Sequence, residues 1–167
     1  MRALWVTALA LSACGYTLVR GDRPFGAGSI MLVPFREDAA IGISPALSEK
    51  LAAGLTAQGV RVVREESLAD AVLSGQVLDE TWRLSPGSRA QAYQVTLRVR
   101  AELVGKDGTS LWENEVVVND DFLTVTGDEL DLLATESNRR LALARIVNRV
   151  AAELLEQMTL AGSLGAS

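Results

Sequence analysis

The sequence predicts an α+β domain, a mixed sheet of about four strands packed by two helices as a two-layer sandwich. Three observations carry the prediction. Tyr93, Val95, Leu97, Val99, Ala101 and Leu103 alternate with Gln94, Thr96, Arg98, Arg100 and Glu102, the period of a strand with one buried and one solvated face. A leucine-spaced segment, Leu47, Leu51 and Leu55, sits between two short apolar runs, the order of a right-handed βαβ crossover with parallel strands. Near the C-terminus, Leu143, Ile146, Val147, Val150, Leu154 and Met158 recur at three- and four-residue spacings, a helical stripe. Two helices are too few to cover both faces of such a sheet, so one face is expected to stay open.

In chain order, residues 1–13 carry one positive charge at Arg2 and the apolar run Ala3 to Leu11. This is short of the ~20 residues a membrane-spanning helix needs and has the form of a secretory signal peptide. Residues 14–28 hold Gly15, Gly21, Pro24, Gly26 and Gly28, a linker composition, and residues 29–161 form the predicted single domain. Its first strand is the apolar run Ser29 to Phe35, with Pro34 placed near its end. Ser44 is the expected N-cap of the first helix, with Pro45 at its first position, and Gly59 stops it. Val60–Arg64 is a short strand. Ala71–Ser85 is a long one, with Gly75 as a candidate bulge, and Ser85–Ser88 turns it into the alternating strand. Asp107-Gly108 supplies positive-φ residues for the next hairpin turn, and Leu111–Phe122 pairs back. The end helix begins near Ser137 or continues a segment from Gly127, and residues 162–167 read as a flexible tail.

Composition excludes several function classes. The 167 residues include 16 basic and 21 acidic side chains, no histidine and one cysteine. A net charge of −5 gives no basic field for a nucleic-acid partner. Without histidine, the commonest general base and the commonest metal ligand are both missing, and one cysteine cannot build a thiolate zinc site. Ser and Thr hydroxyls have no base to activate them. The expectation is a protein that is not an enzyme and needs no cofactor or metal.

The solitary cysteine stands in Leu11-Ser12-Ala13-Cys14-Gly15, which resembles the lipobox of bacterial lipoproteins. The resemblance implies cleavage before Cys14 and lipidation of its thiol and new amine. One acyl chain binds a membrane only reversibly, so lasting attachment takes two or three. Gly15, where an Asp would resemble an inner-membrane retention signal, implies the outer membrane.

An ordered set of segments is similar to the lipopolysaccharide-assembly lipoprotein family LptE: Cys14-Gly15-Tyr16-Thr17-Leu18, the strand ending Val33-Pro34-Phe35, the leucine helix ending Gly59-Val60, Ala69-Asp70-Ala71-Val72-Leu73-Ser74-Gly75, Ala92-Tyr93-Gln94, Asp107-Gly108-Thr109-Ser110-Leu111-Trp112, and the amphipathic end helix. The resemblance implies an outer-membrane lipoprotein that plugs and helps assemble the LptD β-barrel and binds lipopolysaccharide on its way to the surface. It also implies basic lipopolysaccharide contacts in the strand hairpin, where this chain offers Arg83 and Arg89. Arg forks pair bidentately with phosphate; a solvated hairpin tip is the plain alternative. The loop before the last helix is acidic instead, with Asp120, Asp121, Asp128, Glu129 and Asp131. A calcium site and a helix N-terminus favoured by its dipole both account for it, and the second fits the spacing better. Trp82 and Trp112 are candidate partner contacts on the sheet's outer face or core residues. Arg98 and Arg100 share a strand face and meet either an anionic partner or Glu113 and Glu115 across the sheet. A second function class stays open, a periplasmic regulatory lipoprotein of the curli-secretion or peptidoglycan-synthase-activator type, which Ala69–Gly75 also resembles.

Overall fold

The computed structural model describes residues 24–37, 42–84, 92–124 and 129–164. The signal peptide, Cys14, most of the linker, the Ser85–Ser88 turn, Arg89, Asp128 and the last three residues of the tail lie outside them. The elements are β1 (Ser29–Leu32), β2 (Arg36–Glu37), α1 (Ser44–Ala57), β3 (Arg61–Val63), β4 (Ala71–Leu84), β5 (Ala92–Gly105), β6 (Ser110–Leu123) and α2 (Glu129–Leu164). They form one six-stranded mixed sheet in the order β3-β1-β4-β5-β6, with β2 also paired to β4. β1 runs parallel to β3 and β4, and β4, β5 and β6 are antiparallel neighbours. The α+β class and the parallel βαβ unit are as expected. The strand count exceeds four.

Pro34 accounts for part of that excess. It has no N–H to give a ladder, and the predicted single strand Ser29–Phe35 ends at Leu32 and resumes as β2 at Arg36. In the gap, Phe35 turns inward and is buried against the sheet. Gly75 on β4 is therefore not a bulge. A side chain there would run into the Phe35 ring and come within 2.6 Å of the Arg100 carbonyl. The register shift in β4 falls between Val77 and Asp79.

The leucines Leu47, Leu51 and Leu55 of α1 are fully buried, as predicted. The cap of α1 differs from expectation. Ile43, not Ser44, occupies the cap position and makes no side-chain cap bond. The Ser44 hydroxyl instead donates to the Phe35 carbonyl at 2.7 Å, while the Glu37 carboxylate accepts the backbone N–H groups of Gly42 and Ser44. A carboxylate from the preceding strand satisfies orphan donors of the helix start and complements its dipole. At the β5–β6 turn only Gly108 takes positive φ, at 83°; Asp107 serves through its carboxylate, which accepts the Thr109 N–H at 3.0 Å.

The predicted inward row of β5 is buried from Val95 to Leu103. It meets Ile146, Val150, Leu154 and Met158 of α2, also buried. α2 is a single 36-residue helix, about 54 Å long, and no helix among the described residues is long and apolar enough to cross a membrane. Among the described residues the opposite sheet face carries no helix, and it shows exposed Arg98, Arg100, Glu113 and Val117. The packed domain reaches back to Phe25 and Ala27, both buried, and forward to Leu164.

Candidate functional site

The two ends of the sheet are built differently, and the difference locates the site. At the base, the Asp70 carboxylate accepts the N–H groups of Gly28 and Ser29, both at 3.0 Å. The Ser29 hydroxyl donates to the Leu68 carbonyl at 3.0 Å, and Lys106 N–H donates to the Asp70 carbonyl at 2.9 Å. The Ala69-Asp70-Ala71 segment is thus a clasp on the start of β1. The described chain enters at this end: Phe25 packs on Gly162 so closely that a Cβ there would lie 2.9 Å from the Phe25 nitrogen.

The far end is the tip. α2 runs antiparallel to β6, as three contacts show. Asn138 donates to the Leu123 carbonyl at 2.9 Å, Arg145 pairs with Asp120 at 2.6 Å, and Asn114 donates to Gln157 at 2.6 Å. From Asn138 to Gln157 the helix rises about 28 Å, and from Leu123 to Asn114 the strand covers about 30 Å, so the two elements stay in step. Because Asn138 is level with the last residue of β6, Glu129–Ser137 overshoot the strand by about 13 Å.

The overshooting stretch carries two exposed leucines among polar residues. Leu132 and Leu133 are each 70% exposed, and Leu84, Leu123 and Leu141 at the same end are more than half exposed. Beneath them the row Leu84, Tyr93, Phe122 crosses three strands, with the Tyr93 and Phe122 rings stacked at 6.0 Å. A recess of about 220 Å³ opens between Phe122, Leu123, Asn138, Leu141 and Arg145. Single exposed leucines are ordinary on a protein surface, but a group at one end makes a candidate contact site.

Cations rim the tip. Glu136 accepts from Arg139 at 2.7 Å and from Arg140 at 3.0 Å, so two guanidinium groups share one carboxylate, and the Glu80 charge also acts on Arg139. The Arg139 hydrogen bond, with that of Arg140 and both charges, holds the Glu136 carboxyl at about 2. Arg139 is itself raised by Glu136. Partial burial acts to raise Asp120, but hydrogen bonds from Arg145 and the Asp121 N–H, with the Arg145 and Arg149 charges, bring it below the usual carboxylate range.

The sites expected from sequence distribute as follows. Arg83 is exposed near the tip, opposite Gln94; Arg89 lies outside the described residues. Of Trp82 the backbone alone is described, paired with Val95. Trp112 is 9% exposed and packs in the core on the helix-covered face, not on the outer one. Arg98 and Arg100 both pair with Glu115, at 3.5 and 3.0 Å, the cross-strand alternative. Asp120 answers Arg145, and among the described residues no group of His, Cys, Asp or Glu is placed to hold a metal. Sequence reading missed Leu132, Leu133, Arg139 and Arg140. The available signal was that these leucines fall in a stretch with no consistent helical stripe, so nothing would bury them.

A family model described as LptE, lipopolysaccharide-assembly, matches residues 29–158. This chain belongs to the LptE family. Its fold is similar to that of rare lipoprotein B from Shewanella oneidensis, with a TM-score of 0.54, 13% identity, and coverage of 82% of this chain and 99% of that one. It is similar also to a lipoprotein B from Nitrosomonas europaea, with 0.57, 16%, 83% and 86%, and to a minor lipoprotein from Acinetobacter baumannii, with 0.52, 15%, 80% and 91%. No curated protein matches the chain in sequence. The LptE match spans β1 to the last buried turn of α2 and so includes both the Asp70 clasp and the tip.

Proposed function

We propose that this LptE-family protein is a non-enzymatic outer-membrane lipoprotein, anchored through lipidated Cys14, whose tip plugs and helps assemble an LptD-like β-barrel. Lipopolysaccharide is met through Arg83, exposed near the tip, and Arg89. The observation that carries this reading is the separation of the ends. The described chain begins at the base, where Phe25 packs on Gly162, while the exposed leucines stand about 44 Å away at the other end of α2. Extended, the ten steps from Cys14 to Pro24 span about 35 Å at most. A domain held at its base by lipid presents its apolar end to a partner at the membrane, and burying those leucines gives the contact its driving force. Family membership supports lipopolysaccharide assembly over the regulatory-lipoprotein reading.

Depletion of the protein tests the proposal. The expected result is less folded barrel and less surface lipopolysaccharide, with the protein co-purifying with the barrel. Normal levels of both after deletion, or co-purification with a periplasmic synthase instead, would overturn it.

A further inference from the structure

β6 is the outermost strand on its side of the sheet. A 14-residue strand with one free side presents a row of N–H and C=O groups that can template another strand. α2 seals part of this edge. Arg149 donates to the Asn119 carbonyl at 2.7 Å, Arg145 to that of Asp121 at 3.2 Å, and Asn138 to that of Leu123 at 2.9 Å. These carbonyls are two residues apart, so they identify the outward-pointing set. Continued backwards, that set comprises Val117, Glu115 and Glu113.

Here the seal stops. The next turns of α2 bring Ala152, Glu153 and Glu156 in place of donors, and Gln157 is engaged by Asn114 at 2.6 Å and by Glu153 at 3.4 Å. The Glu115 N–H is taken by the Asn114 side chain at 2.7 Å. No described residue donates to the carbonyls of Glu113, Glu115 or Val117. Leu111 and Val117 are exposed apolar side chains on this edge.

We propose that the Leu111–Val117 edge of β6 accepts an extended segment of another protein that carries basic side chains. The chemistry of the occupant follows from charge. Glu113 and Glu156 are exposed and Glu153 is half-buried, and Glu153 and Glu156 line a groove of about 440 Å³ that reaches β6 through Gln157. The nearby Arg98, Arg100 and Arg149 offset three of the five carboxylates of Glu102, Glu113, Glu115, Glu153 and Glu156, so this edge keeps a net negative charge. A second copy of this chain is the wrong occupant. Antiparallel pairing of β6 with itself about Glu115 sets glutamate directly against glutamate, which destabilises a strand pair. Leu111–Val117 span about 23 Å, room for one short strand adding by main-chain hydrogen bonds. The tip takes no part in this edge.

The test uses the full chain and a synthetic heptapeptide alternating Lys and Val, with a Glu and Val counterpart as control. Affinity is read by calorimetry and position by amide hydrogen exchange. The Lys peptide is expected to bind and protect the Glu113 and Val117 amides, and the Glu peptide to bind at least tenfold more weakly. Val117→Pro removes an outward N–H and blocks strand addition, so it is expected to lose at least tenfold. If that variant does not fold, the double change Glu113→Lys with Glu156→Lys serves in its place and is expected to reverse the preference between the two peptides. Absence of binding, equal affinity for both peptides, full affinity in folded Val117→Pro, or an unchanged preference in the double variant would each overturn the proposal. Protection of the same amides by self-association alone would do so too.

Discussion

Replacing Leu132 and Leu133 together by Gln separates the proposed contact from the fold. Both side chains are 70% exposed, so most of their apolar surface remains to be buried by a partner. Complete burial of a leucine is worth about 1.5–3 kcal/mol. At this exposure each has about 1–2 kcal/mol left to gain, and the pair about 2–4 kcal/mol. Lost from an interface, that weakens binding about 30- to 1,000-fold. The isolated protein should hardly notice. Gln is close to Leu in helix propensity, and exposed substitutions usually stay within about 0.5 kcal/mol each, so the pair shifts Tm by no more than about 2–4 °C for a domain of this size. The assay is paired: thermal unfolding of the purified variant, and the amount of barrel recovered with it from membranes. Recovery at the wild-type level with an unchanged Tm would refute the role of the tip. A Tm lower by 5 °C or more would refute the exposure on which the reasoning rests.

Three further outcomes follow from particular contacts. Gly75→Ala forces the Phe35 ring and the Arg100 carbonyl apart; overpacking of about 1–3 kcal/mol exceeds the ~0.4–1 kcal/mol that a Gly→Ala change gains through the unfolded chain. A lower urea midpoint is therefore expected, partly restored by adding Phe35→Leu, and stability equal to wild type would contradict it. Glu136 sits at about 2, below its ordinary value of 4.5, so its pairing with Arg139 and Arg140 steadies the start of α2 above about pH 4.5 and is lost as pH falls through 2; hydrogen exchange in the first turns of α2 should quicken over that window and not between pH 5 and 8. Cys14→Ala should abolish incorporation of labelled palmitate and release the protein from the membrane fraction, and continued labelling would place the anchor elsewhere.

Much of the fold was legible because its signals are local. The period-two row of β5 and the leucine stripe of α1 depend on secondary-structure geometry alone, and both are buried as read. Features that depend on what lies across the fold were not legible. Glu37 caps α1 from a two-residue strand, and nothing near Ser44 in the sequence indicates it. Gly75 looked like a bulge because a glycine in a strand has two explanations, and the choice is made by Phe35, 40 residues away. Trp112 could face either way until register placed it among the core residues. The Arg98 and Arg100 pairing with Glu115 was readable from cross-strand arithmetic. The tip was not, because an exposed Leu132 and a buried one are written with the same letter.

The central claim is that the tip, not the base, meets the barrel. A photo-crosslinking residue placed at Leu133, and separately at Val62 on the basal strand β3, tests it in intact cells. An adduct with an outer-membrane β-barrel is expected from position 133 and none from position 62. Adducts of equal yield from both positions, or a periplasmic enzyme captured at 133, would contradict it.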